Sequence, residues 1–429
     1  MKIKEKFKKM TSEGTGMTRN KFLGTGLTAA AALAVIPAYV LGGKSKTFPS
    51  EKLKIDAKDT ETGIIFGWTT CLTYETNDRK LGYEYFSHLL DEMHSHGMSR
   101  LLVMMASHGY FSPQNHGLAW PAKNKKLKLQ IDKQALNACE DTEFFSKIIE
   151  KAHSLNIEVY IEIKYLGMIG LKEGYPGVDF RRNKDGRLTS TIRQEASDYE
   201  REAIETLSIC CDNSQAHQYM RDKISDVLTR YIKLDGIVLE HPSYSSETCY
   251  CLGSQHLVKK ETGKDIDELS FEEFQKWKGM RIRDTLLDLK NIIKSINPNF
   301  KFGFYTGFSP TDGNIAKFQL NRGHDPELLK QVGFDFLMPY SEGRHKEQEI
   351  EENQKIIDYL APMDIYLHTV IRKVPPHNYQ LPSIGPEYIK SIIKWGKKYS
   401  KMNSRFRGMT FFNEVKIPEE NRQAVYDSI

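Results

Sequence analysis

Four acids stand where apolar runs of this chain give out. They are Glu162 in EVYIEIKY (158–165), Glu240 in DGIVLE (235–240), Glu342 in MPYSEGRH (338–345) and Glu414 in GMTFFNE (408–414). A carboxylate buried without a partner is costly. An acid that ends an otherwise dry strand is therefore either paired or used. Two carboxyls gathered in one cleft can break a glycosidic bond: one protonates the leaving oxygen, and the other attacks the anomeric carbon or activates water against it. A separation of about 5 Å suits a covalent intermediate, and about 6.5–9.5 Å leaves room for water.

Other groups fall near the same run ends. Trp68, Trp120, Tyr165, Tyr305 and Tyr340 offer flat apolar rings of the kind that pack on sugar C–H faces, with Tyr110, Phe111 and Tyr244 nearby. His108, His241 and His368, with Lys164, Arg372 and Asn413, supply polar partners for hydroxyls. Three imidazoles beside Glu240 could instead hold zinc for hydrolysis of amides or esters, although no HxH pair marks the first strand. The two-carboxylate reading needs no metal and no cofactor. Arg181, Arg182, Lys184 and Arg187 read as a solvated flap, partly neutralised by Asp179 and Asp185, with NKDG (183–186) as its tight turn.

These residues need a frame that brings them together. Eight short apolar runs occur at 63–70, 100–107, 158–165, 235–240, 301–307, 334–341, 364–370 and 408–414. Between them lie segments of helical period, such as Phe86, Leu89, Leu90 and Met93, or Met220, Ile224, Val227 and Leu228. The alternation predicts a (β/α)8 TIM barrel. An open doubly wound sheet fits less well, because no GxGxxG loop follows the first strand. Returns from helix to strand are short (HGMS, SLNI, INPN, QVG, LAP), whereas long loops follow strands 2, 3, 4 and 7, at 107–142, 166–215, 241–270 and 371–386. Loops that lengthen at strand C-terminal ends build a cleft on one face. Alternation along DGIVLE places Ile237 and Leu239 under the helices and Gly236, Val238 and Glu240 toward the axis. The same count turns Tyr160, Glu162 and Lys164 inward.

The body is electrically balanced. The whole chain has a formal net charge of +5, but residues 44 onward hold 54 basic and 54 acidic residues, so the excess lies in the first 43. A neutral body argues against nucleic acid as a partner. Residues 1–43 join a basic start to an apolar, small-residue stretch, FLGTGLTAAAALAVIPAYVLGG. That is the layout of an export signal or an N-terminal membrane anchor, and it is the chain's one expected membrane contact. TRNKFLG resembles a twin-arginine signal in which Asn20 replaces the second Arg. A periplasmic or secreted location is expected. Residues 44–62 read as a polar linker and 63–429 as one domain. Six cysteines, at 71, 139, 210, 211, 249 and 251, fit no zinc spacing; they are either free, buried thiols or paired across the loops holding 210/211 and 249/251.

DGIVLE resembles the Asp-Gly-x-x-x-acid motif on the fourth strand of many barrel glycosidases. In the alpha-amylase-like enzymes that acid is the nucleophile, which here implies Glu240. The chitinase-like Glu would stand two residues later, where this chain has Pro242. EGYPGVDFRRNKDGR (173–187) and ICCDNSQAHQYMRDKI (209–224) are similar to segments of bacterial glycosyl hydrolases with this barrel. The resemblance spans about 63–415 and implies a carbohydrate-active barrel. The retaining clan with Asn-Glu on strand four and Glu on strand seven does not match, since Leu239 replaces that Asn and DIYLHTV has no rim acid. Alpha-galactosidase-like barrels use strands four and six, which ranks Glu342 first as partner of Glu240, ahead of Glu414 and Glu162. Glu162 could equally be a structural ion pair with Lys164. The expectation is an exported glycoside hydrolase acting on a poly- or oligosaccharide. A non-catalytic carbohydrate-binding barrel and a metal-dependent hydrolase using the rim histidines are the alternatives.

Overall fold

The computed structural model describes residues 64–71, 82–107, 117–129, 143–165, 171–187, 209–240, 242–244, 249–307, 320, 322–341, 354–355, 357–358, 360, 363–370, 384–412 and 417–429. All belong to one compact unit, Asp56–Ile429. Its strands are β1 (Ile65–Cys71), β2 (Arg100–Ser107), β3 (Gly117–Leu118), β4 (Glu158–Lys164), β5 (Gly236–Glu240), β6 (Lys301–Gly307), β7 (Phe336–Ser341), β8 (Ile365–Val370) and β9 (Phe406–Phe412). The α-helices among the described residues are α1 (Tyr83–Ser95), α2 (Lys125–Lys128), α3 (Phe144–Ser154), α4 (Leu171–Gly174), α5 (Ser214–Arg230), α6 (Leu252–Thr262), α7 (Phe271–Ile296), α8 (Pro326–Val332), α9 (Pro386–Met402) and α10 (Glu419–Tyr426).

Eight strands pair in parallel in the order β1-β9-β8-β7-β6-β5-β4-β2, and β2 returns to β1, so the sheet closes into the expected (β/α)8 barrel. All eight runs read from the sequence are barrel strands. The two-residue β3 was not expected; it adds antiparallel to the end of β2.

Side-chain alternation divides the core into two shells. The outer shell joins the outward strand faces, including Ile237 and Leu239, to helix stripes such as Phe86, Leu89, Leu90 and Met93 of α1. The inner shell holds Leu102, Tyr160, Val238, Tyr305, Phe336, Met338 and Tyr366. At the strand N-terminal end Arg100 enters the axis, with its guanidinium 3.6 Å from the Tyr366 ring centroid and 4.6 Å from that of Tyr160. Arg100 also pairs with Glu158 at 2.8 Å. Burial pushes the Glu158 carboxyl up, but Arg100 and Lys301 outweigh it and hold the group down at about 2.

The DGIVLE motif explains its own first two residues. Asp235 Oδ2 accepts from the backbone N–H of Val159 at 2.7 Å and contacts His153 Nε2 at 2.9 Å, which ties β5 to the start of β4. A Cβ on Gly236 would run into the carbonyl oxygen of Lys301 on the next strand. Asp335 repeats the device, accepting from Phe302 N at 2.7 Å and so fixing β6.

One sequence expectation is overturned. Asn183 and Gly186 do form a turn, and Gly186 has φ +76°, but Arg181 is no part of a solvated flap. It is 1% exposed, because the chain before the turn runs beneath Tyr244.

Candidate active site at the barrel mouth

β4 and β5 lie in a register that sets Lys164 opposite Glu240 and Glu162 opposite Val238. Tyr305 of β6 stands opposite Glu240 on its other side. The inward parity of these positions turns Glu162, Lys164, Glu240 and Tyr305 toward one another at the strand C-terminal end. Lys164 Nζ lies 2.7 Å from Glu240 Oε2 and 3.8 Å from Glu162 Oε1. All three are nearly sealed from solvent, with Glu162 2%, Lys164 3% and Glu240 4% exposed.

The two acids are not equivalent. Burial pushes the Glu162 carboxyl well above the usual range, and the charge and hydrogen bond of Glu240 push it further, against a smaller pull from Lys164. Both effects favour the protonated form of Glu162, hydrogen-bonded to Glu240, while Lys164 faces Glu240 as its ion-pair partner. The sequence left Glu162 open as the structural partner of Lys164; the shorter ion pair is Lys164–Glu240. That is also the pairing expected if Glu240 were merely structural.

His368 of β8 closes the other side. Its ring meets Tyr305 edge-on at 4.9 Å and lies 5.5 Å from Phe412. Burial lowers His368 to about 3, Glu240 opposes that shift, and Lys164 adds to it. The imidazole is thus neutral at any ordinary pH. The neutral ring faces the Lys164–Glu240 ion pair and can donate one hydrogen bond and accept another.

The cluster is anchored from the helix layer. Lys223 of α5 sits on the same stripe as Met220, Ile224 and Val227, and its Nζ donates to the Lys164 carbonyl at 2.8 Å. Burial lowers this amine to about 7. The backbone N–H of Tyr165 in turn donates to the Glu240 carbonyl at 2.8 Å. Sequence reasoning passed over Lys223, although a lysine on an apolar helix stripe was the available signal.

Three of the expected substrate-binding aromatics lie elsewhere. Trp68 faces the helices and donates from Nε1 to the Tyr426 hydroxyl at 3.3 Å. Trp120 is buried in the outer shell with Nε1 on Asp226 Oδ2 at 2.9 Å. Tyr165 is also in the outer shell, one residue out of phase with inward Lys164. Strand alternation accounts for Trp68 and Tyr165: each is next to an inward position, so it points away from the axis. Among the expected residues, Glu162, Lys164, Glu240, Tyr305 and His368 come together. Glu342, Glu414, His108, His241, Arg372 and Asn413 lie outside the described residues, as does the side chain of Tyr340.

A sequence-family model described as glycosyl hydrolase-like 10 matches residues 110–379. No curated protein sequence matches the chain. Among solved structures, the PgaB (BpsB) glycoside hydrolase domain from Bordetella bronchiseptica is similar with a TM-score of 0.61 at 13% identity, covering 85% of this chain and 98% of that one. The catalytic domain of beta-amylase from Paenibacillus polymyxa gives a TM-score of 0.54 at 9% identity, covering 85% and 97%. The beta-galactosidase from the psychrophilic Marinomonas ef1 gives 0.58 at 8% identity, covering 85% and 59%. At these identities the likeness is one of fold.

Proposed function

The chain belongs to the glycosyl hydrolase-like 10 family, and from that premise we propose that it hydrolyses glycosidic bonds of an oligo- or polysaccharide with Glu240 as the reacting carboxylate. The observation that supports this most is the pairing at the barrel mouth: Glu240 faces the axis with Lys164 at 2.7 Å and a protonated Glu162 beside it. Lys164 stabilises negative charge on Glu240, which suits a group that must attack the anomeric carbon or draw a proton from water. Glu162 is too close to be the second carboxyl of the reaction. Two acids in hydrogen-bond contact leave no room for a sugar between them, and the chemistry needs at least about 5 Å. Glu162 instead orients Glu240. The leaving oxygen then takes its proton from another acid; Glu342, next in sequence after β7, is the first candidate and Glu414 the second.

Glu240→Gln tests the role. With folding verified by circular dichroism, the expected loss on a glycan panel is ~10²-fold or more. Turnover kept within about tenfold, or ~1.4 kcal/mol, would remove Glu240 from the chemistry. The same ion pair favours a second reading, a carbohydrate-binding barrel in which Lys164 holds Glu240 permanently. Calorimetric glycan binding by the wild type with no product from any ligand would establish that reading instead.

We also propose that residues 1–43 direct the protein out of the cytoplasm. Their basic and apolar layout supports this. Cell fractionation of the full chain and of a chain lacking residues 1–43 checks it: the first is expected outside the cytoplasm and the second inside.

A further inference from the structure

The long loops that follow β4 and β5 meet beside the barrel, and cysteines are their point of contact. Cys210 lies just after the bridge between Phe180 and Ile209. Cys249 and Cys251 lead into α6, where Cys251 is the N-cap and its Sγ accepts from Ser254 N at 3.4 Å. Cys210 Sγ lies 3.2 Å from Cys251 Sγ and 3.6 Å from Cys249 Sγ, and all three sulfurs fall within 4.8 Å of one another. None of the three is in a disulfide, and all are buried. Ser254 Oγ contacts the sulfurs of Cys210 and Cys251 at 3.5 and 3.3 Å, and donates to Asp212 Oδ2 at 2.6 Å.

The surroundings are positively charged. Arg181 is 1% exposed, and none of its guanidinium nitrogens has a hydrogen-bond partner among the described residues. Its carbon lies 6.0 Å from the Tyr244 ring centroid, and Lys278 Nζ approaches the same ring at 5.8 Å. Arg281 Nε meets Asp212 Oδ1 at 3.2 Å, and its Nη1 reaches the outer Glu261 at 3.3 Å. Asp212, whose side chain is wholly buried, stands between Arg281 and the thiols. An anionic group at the thiols would face Arg181, Lys278 and Arg281.

We propose that Cys210, Cys249 and Cys251 bind a zinc ion that clamps the two loops together at the rim of the barrel. Thiolates are soft ligands that select zinc among the common divalent ions. With Zn–S near 2.3 Å, tetrahedral geometry places sulfurs about 3.8 Å apart, so Cys210 Sγ needs to move about 0.6 Å from Cys251 Sγ and about 0.2 Å from Cys249 Sγ. Each thiol releases its proton as the ion binds. Three thiolates and one Zn²⁺ carry a net charge of −1, opposite in sign to the surrounding cations. Asp212 Oδ2, 4.0 Å from Cys210 Sγ, stands beside the trio as the oxygen donor for the fourth position.

Metal analysis of the full chain, purified without chelator, is expected to give one zinc per chain. Cys210→Ser and Cys251→Ser are expected to lose it. Cys211→Ser, at a buried cysteine outside the trio, is expected to keep it. Cobalt substituted into the wild type should give a near-ultraviolet thiolate-to-metal charge-transfer band and the intense visible bands of a tetrahedral site. This readout needs no variant to fold. The proposal is overturned by wild-type protein that takes up neither ion, with its thiols alkylating as free on unfolding. It is equally overturned by peptide mass analysis showing Cys210 joined to Cys249 or Cys251 through a disulfide.

Discussion

Glu162 bears the cost of the site. Its carboxyl is buried, hydrogen-bonded to a second acid and held protonated. The sign of its effect on stability follows from linkage. The unfolded chain releases this proton near 4.5 and the folded chain only well above it, so stability falls as pH rises through that interval. Glu162→Gln keeps the shape of the protonated acid without the penalty. It is expected to raise the midpoint of thermal unfolding at pH 8 while keeping turnover within about tenfold, since the Gln amide can still donate a hydrogen bond to Glu240. A midpoint that does not rise would show that Glu162 is ionised in the fold. At this scale the parity counted along two strands was legible: Glu240, Glu162 and Lys164 face the axis as alternation requires, and Tyr305 and His368, picked only for their nearness to strand ends, meet them there. Trp68 and Tyr165 were placed by their nearness to strand ends rather than by parity, and parity points them the other way. Trp120 lies outside the barrel strands, so no period constrained it, and its partner Asp226 is 106 residues distant.

Among the elements, α5 shows how a helix can hold a strand end in place. Lys223 gives up water to reach the carbonyl of Lys164, and burial lowers it from 10.5 to about 7. The unfolded chain binds this proton up to 10.5 and the folded chain only below about 7, so stability rises as pH climbs through that window. The gap corresponds to on the order of 5 kcal/mol. Lys223→Met is expected to flatten the climb, read as urea midpoints from pH 7 to 10, and to raise stability at pH 6. An unchanged slope would mean that Lys223 is charged in place. The helices themselves were readable from their apolar stripes, and all eight barrel strands from their runs. Arg181 was misread because its neighbours Arg182, Lys184 and Arg187 are polar flap residues; only the tertiary course of the chain distinguishes it from them.

For the whole molecule, ring closure converts sequence distance into proximity. Residues 164, 240, 305 and 368 span nearly half the chain yet meet at one level of the axis. That gathering was legible, because eight βα units fix which ends lie together. The partner acid of Glu240 is another matter: Glu342 was ranked first by resemblance and Glu414 by the side it shares with Thr410 and Phe412, and both lie outside the described residues. The opposite end of the axis has a further consequence. Arg100, capped by Tyr366 and packed with Tyr160 and Phe336, fills the bore beneath the acids. Among the described residues the well is therefore closed at this end. On the proposed function, sugar released at Glu240 would leave through the mouth by which the next chain arrives, and the two would compete for passage. Hydrolysis should slow as product accumulates, with added product raising KM and leaving kcat unchanged; a purely kcat effect in initial-rate assays would point to a separate exit.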